Sequence, residues 1–239
     1  MGSIYILLIL VLVLFMTRKT RAKASLLKKD TRYVETYTNI LKNKENASEE
    51  LKEYLDNETD ENLKNKTRIV KIYDDLNNDL DLMDVIEKLD VKAILGEPVS
   101  MERLTTNSDM FVWLNLALTK AKNKKNYDVI KKVFDKFEAY DEQLQNNVEY
   151  NVLKTNYDCL LDNNNDLSFL KDLLDGNYSN YTYDKQLIGV YKSMAASLLA
   201  YKNVELSQDN EILLKEFSNS QVGNRFLSNL GIIDKYFEK

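Results

Sequence analysis

Apolar residues recur at intervals of three and four through most of the chain, which is the spacing of one face of an α-helix. No segment alternates apolar and polar residues as a half-buried strand does. The clearest stripes are Val34, Tyr37 and Leu41; Ile69, Ile72, Tyr73 and Leu76; Leu82, Val85, Ile86 and Leu89; Met110, Trp113, Leu114 and Ala117; Ile130, Val133, Phe134 and Phe137; and Ile212, Leu213 and Phe217. The pattern predicts an all-α protein.

Short polar segments separate these stripes, as expected where helices end. They lie at 57–60, 77–81, 123–126, 163–166 and 176–181. Connections this short force consecutive helices to run antiparallel, which predicts helical hairpins packed side by side, as an α-solenoid or, if the stack closes, as a compact bundle. The segment 96–107, which contains the only proline, predicts a linker between hairpins at 30–95 and hairpins at 108–239.

The N-terminal segment has a different pattern, because residues 1–17 carry no charge and 4–16 is almost continuously apolar. Its length is at the short end of the range for a transmembrane helix, about 17–25 residues. Six basic residues follow it: Arg18, Lys19, Arg21, Lys23, Lys28 and Lys29. By the positive-inside rule they predict an uncleaved single-pass anchor in the cell membrane, with the N-terminus outside and the C-terminal domain cytoplasmic. A cleaved signal peptide and a helix buried in the soluble part are the alternatives.

The basic segment at 18–29 is also predicted to contact anionic lipid headgroups. Each cation beside a membrane contributes about 1 kcal/mol to such binding. The rest of the chain is acidic: the whole protein has a net charge of −5, and without those six cations it would be −11. An acidic domain is a poor ligand for nucleic acid, whose binding depends on clustered lysine and arginine. The composition therefore predicts no nucleic-acid partner.

Few residues offer catalytic or metal-binding chemistry. The chain has no histidine, and its single cysteine, Cys159, lies on an apolar stripe where a free thiol commonly packs as a small hydrophobe. Two acidic segments, 75–79 and 162–166, resemble the start of a calcium loop, but both lack the glycine at position six and the glutamate at position twelve. We therefore predict no catalytic residue, no metal site and no cofactor.

Residues 126–134, Asn-Tyr-Asp-Val-Ile-Lys-Lys-Val-Phe, resemble the start of the second helix of a tetratricopeptide repeat. Tyr127 and Phe134 match the aromatic packing positions of that family. The chain departs from the family pattern at Leu118, Ile130 and Glu142, where glycine, alanine and proline are favoured. The resemblance implies a stack of helical hairpins that binds a protein or peptide in a concave groove without catalysis.

Together these patterns predict a membrane-anchored cytoplasmic scaffold or adaptor that binds a protein or peptide partner and is not an enzyme. Two other classes stay open. An inverted or cleaved anchor would make the domain an extracytoplasmic binding or sensor module, and an enzyme would need a site that no single sequence displays. The tyrosines at 178, 181 and 183 fit either an exposed interface or an ordinary core.

Overall fold

The computed structural model describes residues 31–91, 108–162 and 166–236. All regular elements in these ranges are helices, which confirms the predicted all-α class. They are α1 (31–41), α2 (Ala47–Asn57), α3 (Glu61–Asn77), α4 (Met83–Glu87), α5 (Ser108–Asn123), α6 (Tyr127–Glu138), α7 (Asp141–Leu144), α8 (Val148–Leu161), α9 (Ser168–Asp175), α10 (Ile188–Tyr201), α11 (Gln208–Ser218) and α12 (Gln221–Leu230), followed by a 3₁₀ turn at Ile233–Lys235.

Three of the predicted regions fall outside these ranges: the anchor at 1–17, the basic segment at 18–29 and the linker at 96–107. A helix long and apolar enough to cross a membrane is not found among the described residues.

Side-chain caps mark where several helices begin, and the cap of α3 lies in the predicted polar break at 57–60. The Asp60 carboxylate accepts hydrogen bonds from the first-turn N–H groups of α3, and Asn147 does the same for Tyr150 at 2.8 Å. Ser220 caps α12 by accepting from the Gly223 N–H at 2.9 Å. Each cap satisfies a backbone donor that has no partner inside the helix.

Helix α5 lies at the centre of the molecule. Its residues from Met110 to Thr119 are buried on every side, and it packs against α3, α6, α8 and α12. A helix that is apolar all round is stable only when other helices cover all its faces. The hairpins on both sides of the 96–107 segment therefore share one hydrophobic core.

The last helix closes this arrangement. Helix α12 packs directly on α5, and the Arg225 guanidinium donates to the Leu41 carbonyl at the end of α1 across 3.2 Å. In an α-solenoid each hairpin contacts only the next one. The described helices surround α5 instead, which is the compact-bundle arrangement.

Most of the predicted stripes face this core, but one residue does not. Ile212 is 50% exposed, whereas Leu214 and Phe217 of the same helix are buried. The buried face of α11 is thus rotated from the one that the sequence pattern suggests, because the position of α10 and α12 decides which side of α11 is covered.

Candidate partner-binding cleft

Helix α3 has an apolar face and a basic face. Ile69, Ile72 and Leu76 are buried on one side. Lys64, Arg68 and Lys71 are spaced by four and three residues, so they form a row about 10 Å long on another side. Their side chains are only 26%, 17% and 19% exposed, so they lie in a concave part of the surface.

These three side chains line a cleft of about 380 Å³ between α2, α3 and the short α4. The lining residues are Lys52, Leu55, Asp56, Lys64, Arg68, Lys71, Asp84, Val85 and Lys88. Five of the nine are basic and two are acidic, although the chain as a whole has a net charge of −5. We refer to this feature as the basic cleft.

The ion pairs around the basic cleft are of two kinds. Lys71 binds the buried carboxylate of Asp75 at 2.7 Å, which fixes the lysine against the wall of the cleft. Lys64 and Arg68 both approach Glu61, at 3.3 and 3.8 Å, but the Glu61 side chain is 67% exposed. Such exposed pairs contribute about 0–1 kcal/mol, because water and salt screen them. Lys52 has no ion-pair partner among the described residues.

The buried partner of Lys71 is itself perturbed. Burial raises the pKa of Asp75, and the hydrogen bond and positive charge of Lys71 oppose that rise. Removing the Lys71 ammonium would leave a carboxylate in the protein interior without its cation. Lys71 is therefore partly a structural residue, whereas Lys52, Lys64 and Arg68 have charges available for a ligand.

A second ionic cluster lies on the opposite side of α3, inside the core. Lys66 is 3.4 Å from the Asp109 carboxylate, and the Tyr33 hydroxyl donates to the other oxygen of that carboxylate at 3.5 Å. Burial raises the pKa of Asp109, and Lys66 counteracts this. Tyr33 is held as a neutral phenol, since burial and the nearby carboxylate raise its pKa. The cluster joins α1, α3 and α5 and has the character of a structural ion pair.

Cys159 lies fully buried in α8, as its position on an apolar stripe predicts. Burial raises the pKa of its thiol to about 11. The thiolate, which is the reactive form, is therefore scarce at neutral pH.

The two aromatic residues of the predicted repeat motif lie in different environments. The Phe134 ring stacks on Tyr157 with 4.0 Å between ring centroids and is 8% exposed. Tyr127 is 45% exposed, and the Lys122 ammonium lies over its ring in a cation–π contact, 5.0 Å from the ring centroid. The structure thus brings Phe134 into an aromatic cluster and leaves Tyr127, the first residue of α6, at the surface.

The tyrosines at 178, 181 and 183 follow α9 and are only partly covered. Tyr178 and Tyr183 form an edge-to-face pair with 5.2 Å between centroids, and Tyr181 packs on Phe169. The buried Glu149 carboxylate holds the loop by accepting from the Asp184 N–H at 2.5 Å. These rings therefore combine core packing with surface exposure.

The acidic segments considered as calcium loops have other partners in the described part of the chain. Asp75 binds Lys71, and Asp79 binds Lys124 at 2.7 Å. Asp162 binds Lys202 at the same distance, which lowers the pKa of the Asp162 carboxyl.

The sequence contains one sign of the basic cleft, a row of basic residues that the spacing of apolar residues does not reveal. Lys64, Arg68 and Lys71 fall on one helical face, but the acidic total charge directs attention away from local basic rows. The remaining lining residues come from α2 and α4, so only the packing of three helices reveals the site.

Comparison with known proteins adds no assignment at this point: the chain matches no protein-family model, and searches of curated proteins and of solved structures give no significant match.

Proposed function

We propose that the chain is a membrane-anchored, non-catalytic helical scaffold that binds a protein or peptide partner on the cytoplasmic side. The observation that carries this proposal is the basic cleft, in which charged side chains surround a small apolar area formed by Leu55 and Val85. Sites for proteins and peptides combine such apolar contacts with a polar rim.

The groups around the basic cleft suit recognition better than catalysis. Lys64, Arg68 and Lys88 form ordinary ion pairs there, and the cysteine thiol lies buried in a different helix. The resemblance of residues 126–134 to the second helix of a tetratricopeptide repeat favours a binding function, and it is part of the proposal.

The anchor supplies the second part of the proposed function. A helix formed by 1–17, followed by Arg18, Lys19, Arg21, Lys23, Lys28 and Lys29 against anionic headgroups, would keep the helical domain at the membrane surface. Tethering raises the effective concentration of the domain near membrane partners, so even a weak contact in the basic cleft becomes useful.

Site-specific photo-crosslinking in intact cells tests the binding function. A photoreactive amino acid replaces Leu55 in the basic cleft or, as a control, Lys171 on the exposed side of α9. We expect a discrete protein adduct from position 55 that position 171 does not give and that Lys64→Glu with Arg68→Glu removes. If position 55 gives no adduct beyond the position 171 background, the basic cleft is not a partner site.

Protease accessibility tests the orientation. A tag after the last residue is probed in intact and in lysed cells. Protection until lysis supports the cytoplasmic scaffold, whereas loss of the tag from intact cells supports the extracytoplasmic alternative.

A further inference from the structure

We infer that the occupant of the basic cleft is an acidic amphipathic helix of a partner protein. This inference rests on the proposed binding function and names the class of partner. Three features support it: the spacing of the basic row, the weakness of its internal ion pairs and the presence of apolar and acidic residues in the same lining.

The spacing of the row matches that of a helical ligand. Lys64, Arg68 and Lys71 are presented over about 10 Å of α3, and carboxylates at positions i, i+4 and i+7 of another helix have the same separations. A helix lying along α3 therefore presents one carboxylate to Lys64 and one to Arg68, and its third carboxylate lies beside Lys71, whose ammonium also binds the buried Asp75. This is the groove-binding mode used by amphipathic helices.

The charges needed for such a contact are already available. Lys52 pairs with no carboxylate in the described part of the chain, and Lys64 and Arg68 share a single exposed carboxylate, Glu61. A ligand carboxylate that is partly shielded from water makes a stronger pair than Glu61 does, because screening falls with burial. Replacing the contacts of Lys64 and Arg68 with Glu61 by contacts with the ligand carboxylates is therefore favourable.

The rest of the lining favours a peptide over a lipid headgroup. Leu55 and Val85 offer an apolar contact, and a volume of about 380 Å³ admits one or two inserted side chains while the ligand helix lies across the opening. Asp56 repels a phosphate dianion, but it can pair with a lysine or arginine of a mixed-charge helix, whereas Asp84 already pairs with Lys88 at 2.7 Å. Asp56 then contributes to specificity.

Fluorescence anisotropy with labelled peptides tests the inference on the full chain in uncharged detergent micelles. The probe is an 18-residue helical peptide with leucine on one face and glutamate at positions i, i+4 and i+7 beside it. A second peptide carries glutamine in place of the three glutamates. We expect the glutamate peptide to bind at least about tenfold more tightly, a difference of about 1.4 kcal/mol, and to weaken as sodium chloride is raised.

Charge reversal locates the contact. The double variant Lys64→Glu with Arg68→Glu should lower the affinity for the glutamate peptide by at least about tenfold. The matched control, Lys171→Glu with Lys185→Glu, makes the same charge change at exposed positions elsewhere. It should change that affinity by less than about twofold. Equal binding of the two peptides, or equal effects of the two double variants, overturns the inference.

A lipid ligand gives a different result. If phosphatidylserine vesicles bind the protein and Lys64→Glu with Arg68→Glu abolishes this while the peptides bind weakly, the basic cleft recognises membranes and the inference is wrong. Failure here can be separated from failure of the proposed function. A crosslink at position 55 together with indifference to peptide charge means that a partner binds through other chemistry, whereas loss of both results removes the cleft as a site.

Discussion

Gly223→Ala is expected to destabilise the fold more than the small size of the change suggests. Gly223 lies in the first turn of α12, where this helix crosses the end of α11. A Cβ atom built at residue 223 lies 2.5 Å from the carbonyl carbon of Phe217 and 2.7 Å from the Phe217 ring carbon Cγ. It lies closer still to the Phe217 carbonyl oxygen. Ordinary contacts begin near 3.4 Å, so the two helices must separate by about 1 Å or more.

That separation affects two other interactions. The Ser220 hydroxyl accepts from the Gly223 N–H at 2.9 Å and donates to the Phe217 carbonyl at 2.8 Å, so the cap lies in the same contact. Overpacking of this kind costs about 1–3 kcal/mol, and loss of a cap about 1 kcal/mol. The better helix propensity of alanine offsets up to about 1 kcal/mol. We expect a net loss of about 1–3 kcal/mol in the free energy of unfolding.

Gly189→Ala is the matched control. Gly189 is exposed in the first turn of α10, and a Cβ atom there has no neighbour within 4 Å. The same substitution should therefore leave stability unchanged or raise it by up to about 1 kcal/mol. The two variants differ only in what the added methyl group meets.

Tryptophan fluorescence during urea unfolding of the full chain measures both effects. Trp113 is the only tryptophan and is 4% exposed in α5, so its emission reports loss of the core. A Gly223→Ala variant as stable as the Gly189→Ala variant would refute the close contact between α11 and α12.

Three further predictions follow from burial and packing. Burial raises the pKa of Asp109 and of Glu149, so the folded chain binds these two protons more tightly than the unfolded chain does. The melting temperature should therefore fall as the pH rises from about 4 through the raised pKa values of these two carboxyl groups. Cys159, with its buried thiol, should react with a thiol reagent in the native state far more slowly than in urea. Phe134→Ala should cost about 3–5 kcal/mol in urea unfolding and Tyr127→Ala less than about 1 kcal/mol, because only the first ring is stacked in a buried cluster.

Each of these predictions has a contradicting outcome. A melting temperature that rises steadily between about pH 5 and pH 8 would mean that the two buried carboxylates do not dominate the pH dependence of stability in that range. Asp162, whose pKa is lowered by Lys202, changes stability in the opposite sense, but only below about pH 4. Fast native labelling of Cys159 would show that α8 opens locally. Equal losses for Phe134→Ala and Tyr127→Ala would mean that the two rings are equally packed.

Local patterns in the sequence were sufficient for the helices themselves. Spacing of three and four along 69–76 and 130–137 corresponds to the observed α3 and α6, and the polar break before α3 supplies its cap through Asp60. These features depend on residues within one or two turns of each other, so a single sequence carries the information. The all-α class follows directly.

Side-chain exposure within a stripe was less predictable. Tyr127 and Phe134 fit the same motif, yet one is at the surface and the other in an aromatic cluster. Ile212 continues an apolar stripe and is half exposed. Which side of a helix is covered depends on where its neighbours lie, and periodicity within one helix does not contain that information.

The sequence by itself therefore determined the helices, their short polar connections and the buried position of Cys159. The tertiary structure alone decided two features: the packing of α12 on α5, and the basic cleft, whose lining residues extend from Lys52 to Lys88 on three helices. Both arise from contacts between residues distant in the chain, and the packing of buried faces, not local propensity, selects such contacts.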